Sequence, residues 1–204
     1  MSHEIKNQDD QAWVSIDSSL SMSEVKQFCD DIERLFRINP FLEFNNIKAL
    51  ETGEIILTGK NLSNDQAFDL KAHKQTIPNG YIINYNQGLK RSTTITINPT
   101  PNGTQIKILD DYSGISESER NNRLNEVDKS LTAWGTAIQK YLASWQRWSS
   151  YSLWRWYKQR IWLPMKPSAR RISWMLINIT ALEFVAFLMV FTIFWLELDR
   201  YFGL

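Results

Sequence analysis

The stretch "ISWMLINITALEFVAFLMVFTIFWL", Ile172 to Leu196, constrains this chain more than any other. It holds 25 residues and a single ionisable side chain, Glu183. Wound as an α-helix it reaches about 37 Å, against a hydrocarbon core of about 30 Å in a bilayer. The competing reading is the buried core helix of a soluble domain. Apolarity on every side of the helix, with basic and aromatic residues just before it, favours a membrane span.

That flank is "LWRWYKQRIWLPMKPSARRISW", residues 153–174. It carries Trp154, Trp156, Trp162 and Trp174 together with Arg155, Lys158, Arg160, Lys166, Arg170 and Arg171, and no acid. A nucleic-acid groove, a membrane interface and the basic face of a protein partner all use such residues. Adjacency to the span decides for the interface, where indole rings satisfy an apolar body and a polar N–H at once. Each basic group near an anionic leaflet adds about 1 kcal/mol of attraction. Nucleic acid is therefore not an expected partner, and membrane lipids are.

The charge is segregated along the chain. Residues 1–150 carry 16 Lys and Arg against 19 Asp and Glu, although the whole chain has a net charge of +1. Basic residues before a span predict a single-pass protein of an inner, cytoplasmic-type membrane with its N-terminal domain in the cytoplasm. Pro164 and Pro167 forbid one continuous helix through the flank. The expectation is a short interfacial helix from Ser152 to Trp162, a turn through "LPMKP", and a spanning helix from about Ser168. The segments read as a polar tail (1–11), a folded domain (12–148), an interfacial segment (149–171), the span (172–196) and a short tail on the far side (197–204). The polar, acidic start "MSHEIKNQDDQAW" has no apolar core of a secretory signal.

Within the folded domain, "AWVSID" alternates as a strand. Ser21 and Glu24 then form a capping box, and Val25, Phe28, Cys29, Ile32, Leu35 and Phe36 recur at helical spacing until Asn39-Pro40. From Phe41 to Tyr112 the period becomes two. Six strands are expected, in "FLEFNNIKAL", "GEIILTGKNL", "QAFDLKAH", "GYIINYNQ", "STTITINP" and "TQIKILDDY", separated by turn signals such as Pro78-Asn79-Gly80 and Pro101-Asn102-Gly103. Phe68, Leu70 and Ala72 share one face; so do Thr93, Ile95 and Ile97, and so do Ile106 and Ile108. This is an antiparallel meander with one buried face. A second capping box, Ser116 to Glu119, opens a long amphipathic helix carrying Leu124, Val127, Leu131, Trp134, Ile138, Leu142 and Trp145. Its stripe is wide enough to cover the buried face of the meander.

Strand, helix, six antiparallel strands and a long C-terminal helix, an α+β order, resemble the helix-grip fold of the START and polyketide-cyclase-like (SRPBCC) superfamily over Ala12 to Trp148. The resemblance rests on element order and on the passage from "NPTPNGTQIKILDDY" into the last helix. It implies a curved sheet wrapped around the long helix, and often an apolar cavity between them. Members bind lipids, sterols, polyketides or other hydrophobic molecules, and some are enzymes. The superfamily has no universal catalytic signature, so no residue is carried over from it. A span after the grip domain departs from the usual soluble member.

Residues facing such a cavity are expected to be Phe68, Leu70, Ile95, Ile97, Ile106, Ile108, Val127, Leu131, Trp134 and Ile138. Catalytic residues are not expected. Asp69 and His73 share a strand face, but it also carries Lys71 and should be wet. Asp110, Asp111 and Asp128 read as solvated carboxylates with basic partners. Cys29, the single cysteine, reads as a small buried hydrophobe. With two histidines besides, a zinc site lacks ligands, and no cofactor or metal is expected. Gly135 sits in mid-helix at a cost of about 1 kcal/mol relative to Ala. Either the sheet comes close there, or space is kept for a ligand.

Glu183 lies near the middle of the span, where an ionisable group costs a few kcal/mol. With Thr180 and Ala186 it forms a small, polar stripe suited to a partner helix. Two functions follow. One is a membrane-anchored, non-catalytic binding module for a lipid or other hydrophobic molecule. The other is an accessory subunit of a larger membrane enzyme, packed against other transmembrane subunits.

Overall fold

The computed structural model describes residues 11–113 and 117–202, and at 117–129, 199, 200 and 202 the backbone alone. The capping box at Ser116, the polar tail before Gln11 and the side chains of Leu124, Val127 and Asp128 lie outside the described residues.

Alternation and turn residues produce the expected strands. After β1 (Gln11–Ser18) come β2 (Leu42–Ala49), β3 (Glu54–Asn61), β4 (Gln66–Ile77), β5 (Gly80–Tyr85), β6 (Ser92–Thr100) and β7 (Gly103–Asp111). They form one curved antiparallel sheet in the order β1-β7-β6-β5-β4-β3-β2. β4 extends four residues past His73, because Pro78-Asn79-Gly80 turns the chain only there. Gly80, at φ +154°, tolerates no side chain in that turn: a Cβ would stand 1.9 Å from the Ile95 carbonyl oxygen.

The first helical segment is two helices, α1 (Met22–Asp30) and α2 (Ile32–Arg37), where the periodicity predicts one. Asp31 leaves the helix at φ −81°, ψ 85°, and its carboxylate accepts from the Arg34 amide. An Asp side chain that caps a new helix competes with continuation of the old one. The Ser21–Glu24 capping box of α1 is present in both directions. The bend lets Val25, Phe28 and Cys29 on α1, and Ile32, Leu35 and Phe36 on α2, all reach the core.

The long helix α3 (Glu117–Trp148) buries Leu131, Trp134, Ile138, Tyr141 and Leu142. Gly135 is where it meets the sheet. A Cβ there would lie 2.6 Å from Val14 Cγ2, so the mid-helix glycine answers to close packing on β1.

The chain divides into two compact units, one up to Pro164 and one from Met165 onward. The first contains α4 (Ser152–Tyr157) and a π-helical turn (Lys158–Trp162). Residues 149–164 therefore belong to the unit that holds the sheet. The second is built on α5 (Pro167–Phe202), a 36-residue helix that continues through the short tail as far as Phe202. Within it, Pro167–Leu198 is long and apolar enough to cross a membrane, and every residue from Trp174 to Leu198 is exposed. The hydroxyl of Thr192 and the amide of Asn178 donate to carbonyls four residues back, Leu188 and Trp174, so two polar side chains are satisfied by the helix itself.

Candidate functional site

A cavity of about 600 Å³ opens at one end of the sheet, between α2, β2, β3, β4 and the turn after β5. Its apolar wall includes Phe36, Leu42, Phe44, Leu57, Phe68, Leu70 and Tyr85. The rings are interlocked: Phe44 stands edge-on to Phe36 at 6.0 Å and to Phe68 at 5.6 Å. Gly59 permits this. A Cβ on it would lie 2.2 Å from the Glu43 carbonyl oxygen and 2.9 Å from Phe68 Cζ. The bare Cα lets β2, bulged between Phe44 and Asn46, and the Phe68 ring both close on β3.

The cavity has a polar corner as well. Lys90 lies on its wall, and the Lys90 ammonium donates to Asp110 at 2.5 Å. Asp110 is completely buried and also accepts from Thr93 Oγ1 at 2.5 Å and from the Tyr112 hydroxyl at 3.3 Å. Tyr85 Oη lies 3.2 Å from Thr93 Oγ1. The Thr93 proton is committed to Asp110, so Tyr85 is the donor in that pair. Burial raises the Tyr85 phenol pKa, the Asp110 charge raises it further, and the Thr93 bond opposes both. Tyr85 thus stays a neutral donor at any physiological pH. A buried carboxylate with three donors, one of them a cation, is a satisfied network.

Sequence reasoning missed this corner. Asp110 and Asp111, read as solvated, are 0% and 6% exposed. The signal was present, since the alternation that buries Ile106 and Ile108 continues to Asp110, and the one that buries Ile95 and Ile97 begins at Thr93. Lys90, in a turn between strands, is not among the residues expected to face a cavity.

Among the expected cavity residues, Phe68 and Leu70 are on the wall. Ile95, Ile97, Ile106, Ile108, Leu131, Trp134 and Ile138 are not on this wall; each is at most 3% exposed and belongs to the core cluster. Trp134 Nε1 donates to the Leu35 carbonyl at 2.9 Å and its ring stacks on Phe36 at 5.6 Å, packing α3 on α2. The cavity lies beyond Phe36 instead. Asp69 and His73 are exposed on the outer face of β4. Cys29 is buried, and its burial pushes the thiol up to about 12. Among the described residues no group of His, Cys, Asp and Glu is arranged to hold a metal.

The basic, tryptophan-rich segment divides by direction. Lys158 lies over the rings of Trp162 (4.0 Å), Trp154 (5.7 Å) and Tyr141 (5.8 Å), and Trp154 packs on Trp145 of α3. Trp154, Lys158 and Trp162 therefore turn toward the folded domain rather than outward. Outward lie Arg155, Trp156 and Arg160, with Trp148, Tyr151 and Leu153 beside them; Leu153 is 76% exposed. In the second unit Lys166, Arg171 and Trp174 are exposed and Arg170 is half-buried. Thr180, Glu183 and Ala186 are exposed on α5.

A curved seven-stranded antiparallel sheet closed by a long C-terminal helix defines the helix-grip fold. No protein-family model matches the sequence, and no curated protein is similar to it. Solved structures share the fold. A protein of Nitrosomonas europaea superposes with a TM-score of 0.51 at 9% identity, over 68% of this chain and 97% of its own. A protein of Thermus thermophilus does so at 0.51 and 12% identity, over 66% and 96%. The di-domain ARO/CYC protein StfQ of the steffimycin biosynthetic pathway reaches 0.51 at 8% identity, over 68% of this chain and 52% of its own. The grip fold is common to all four.

Proposed function

We propose that this chain is a membrane-anchored, non-catalytic binding module that takes a lipid or other hydrophobic molecule at the cytoplasmic face of its membrane. The observation that carries the reading is the cavity of about 600 Å³ with a wall of interlocked phenylalanines. That volume is typical of small-molecule sites, which are mostly apolar with few polar groups. Supporting the anchor are the apolar α5 and the outward Arg155, Trp156 and Arg160, which suit a lipid headgroup layer. The basic side chains before α5 support a cytoplasmic domain. Native mass spectrometry of the full chain, released from its own membrane in mild detergent, tests the reading. A reproducible small adduct lost on denaturation is expected; a bare chain refutes it.

One observation favours a second reading, an accessory subunit of a membrane enzyme. Glu183 lies on an α5 surface with no described residue packed on it. A simple tether needs no carboxyl in hydrocarbon. Under this reading Glu183→Leu lowers the yield of a co-purifying partner while the grip domain stays folded. Unchanged partner yield counts against it.

A further inference from the structure

We infer that Lys90 is the polar anchor of the cavity, and that it selects a neutral, mostly apolar ligand with a carbonyl oxygen at one end. The inference rests on the binding reading above and adds the chemistry of the ligand. An ammonium has three N–H donors. Among the described residues Lys90 Nζ donates to Asp110 alone, and its side chain, 30% exposed, lies on the cavity wall. Asp110, held by Thr93 and Tyr112 as well, fixes the ammonium in place, with the Trp134 ring 6.0 Å away. A preorganised donor therefore meets whatever enters.

Charge decides what that is. Lys90 and Asp110 cancel, and of the cavity's other polar residues Asn61, Asn64, Gln66 and Gln87 are neutral and Asp69 alone is acidic. Asp69 alternates with Phe68 and Leu70 and belongs with Lys71 and His73 to the exposed set of β4, so water screens its charge. A carboxylate or phosphate end would bring a second anion beside the buried Asp110, and an amine would face Lys90. A hydroxyl would accept from Lys90, but its own proton would find Asp110 already engaged by three donors. A carbonyl oxygen accepts and has nothing left to satisfy.

The test uses the full chain in lipid nanodiscs, with binding to empty nanodiscs subtracted. Three probes of one shape are compared: acetylnaphthalene, ethylnaphthalene and naphthoate. The ketone is expected to bind about tenfold or more tighter than the hydrocarbon, the range of a hydrogen bond from a charged donor, and tighter than the carboxylate. Lys90→Met alone would strand the Asp110 charge and threaten folding, so the variant is Lys90→Met with Asp110→Asn, checked by near-ultraviolet circular dichroism. It should lose the ketone's advantage over the hydrocarbon; Lys90→Arg should keep part of it. Equal affinity for ketone and hydrocarbon in the parent chain overturns the inference and leaves the cavity reading standing, as does an advantage that survives in the double variant. Binding of none of the three overturns both.

Discussion

Gly135→Ala tests whether α3 is held against β1 by close packing or keeps space for a ligand. Alanine in mid-helix is worth about 1 kcal/mol more than glycine. Against that, the new Cβ would lie 2.6 Å from Val14 Cγ2 and 3.2 Å from Cγ1. Overpacking of this kind costs about 1–3 kcal/mol, so the single variant should be destabilised by up to about 2 kcal/mol, a few degrees in Tm. In a Val14→Ala background both γ-carbons are gone, and the Val14 Cβ, at 3.4 Å, is an ordinary contact. There Gly135→Ala should stabilise by about 1 kcal/mol. The cycle predicts a coupling of about 1–3 kcal/mol between the two positions, measured by thermal unfolding of the full chain in detergent with near-ultraviolet circular dichroism. Equal effects of Gly135→Ala in both backgrounds would refute the packing argument. A rise in ligand affinity without a stability change in the Val14→Ala background would point to ligand space instead.

Four further outcomes are expected. Burial holds the Cys29 thiol at about 12, so at pH 8 it should react with thiol reagents only at the rate of global unfolding; prompt labelling of the native chain contradicts this. Because the unfolded thiol ionises near its ordinary value and the folded one does not, the unfolded state releases a proton first as pH rises. Stability should therefore fall between about pH 9 and 12 by on the order of 1 kcal/mol per unit from this group, and Cys29→Ala should flatten that part of a pH-stability curve. Lys158→Ala removes a cation shared by three rings and should speed amide exchange in residues 152–162 about tenfold, for a loss of about 1–2 kcal/mol; unchanged exchange means that the rings hold the segment without it. Replacing Arg155, Lys158, Arg160, Arg170 and Arg171 with Gln should let the N-terminal domain appear on the far side in a protease-protection assay, and an unchanged protection pattern defeats the charge argument.

The sequence by itself determined the strands, the long helix and the apolar C-terminal helix, because those depend on local periodicity and on turn and cap residues a few positions apart. Pro78-Asn79-Gly80, the Ser21–Glu24 box and the run from Ile172 to Leu196 each act within their own segment. The order of these elements was enough to indicate a helix-grip fold. What it left undecided depends on residues that meet only after the sheet curls. Asp31 splits one helix into two because its side chain finds the Arg34 amide and because both faces then reach the core. Trp134 can be buried because the Leu35 carbonyl, 99 positions away, accepts its N–H. Lys90 becomes a cavity residue because Asp110, 20 positions on, is buried and holds its ammonium. A charge in a turn and a carboxylate at a strand end both look solvated until tertiary packing removes the water and leaves them each other.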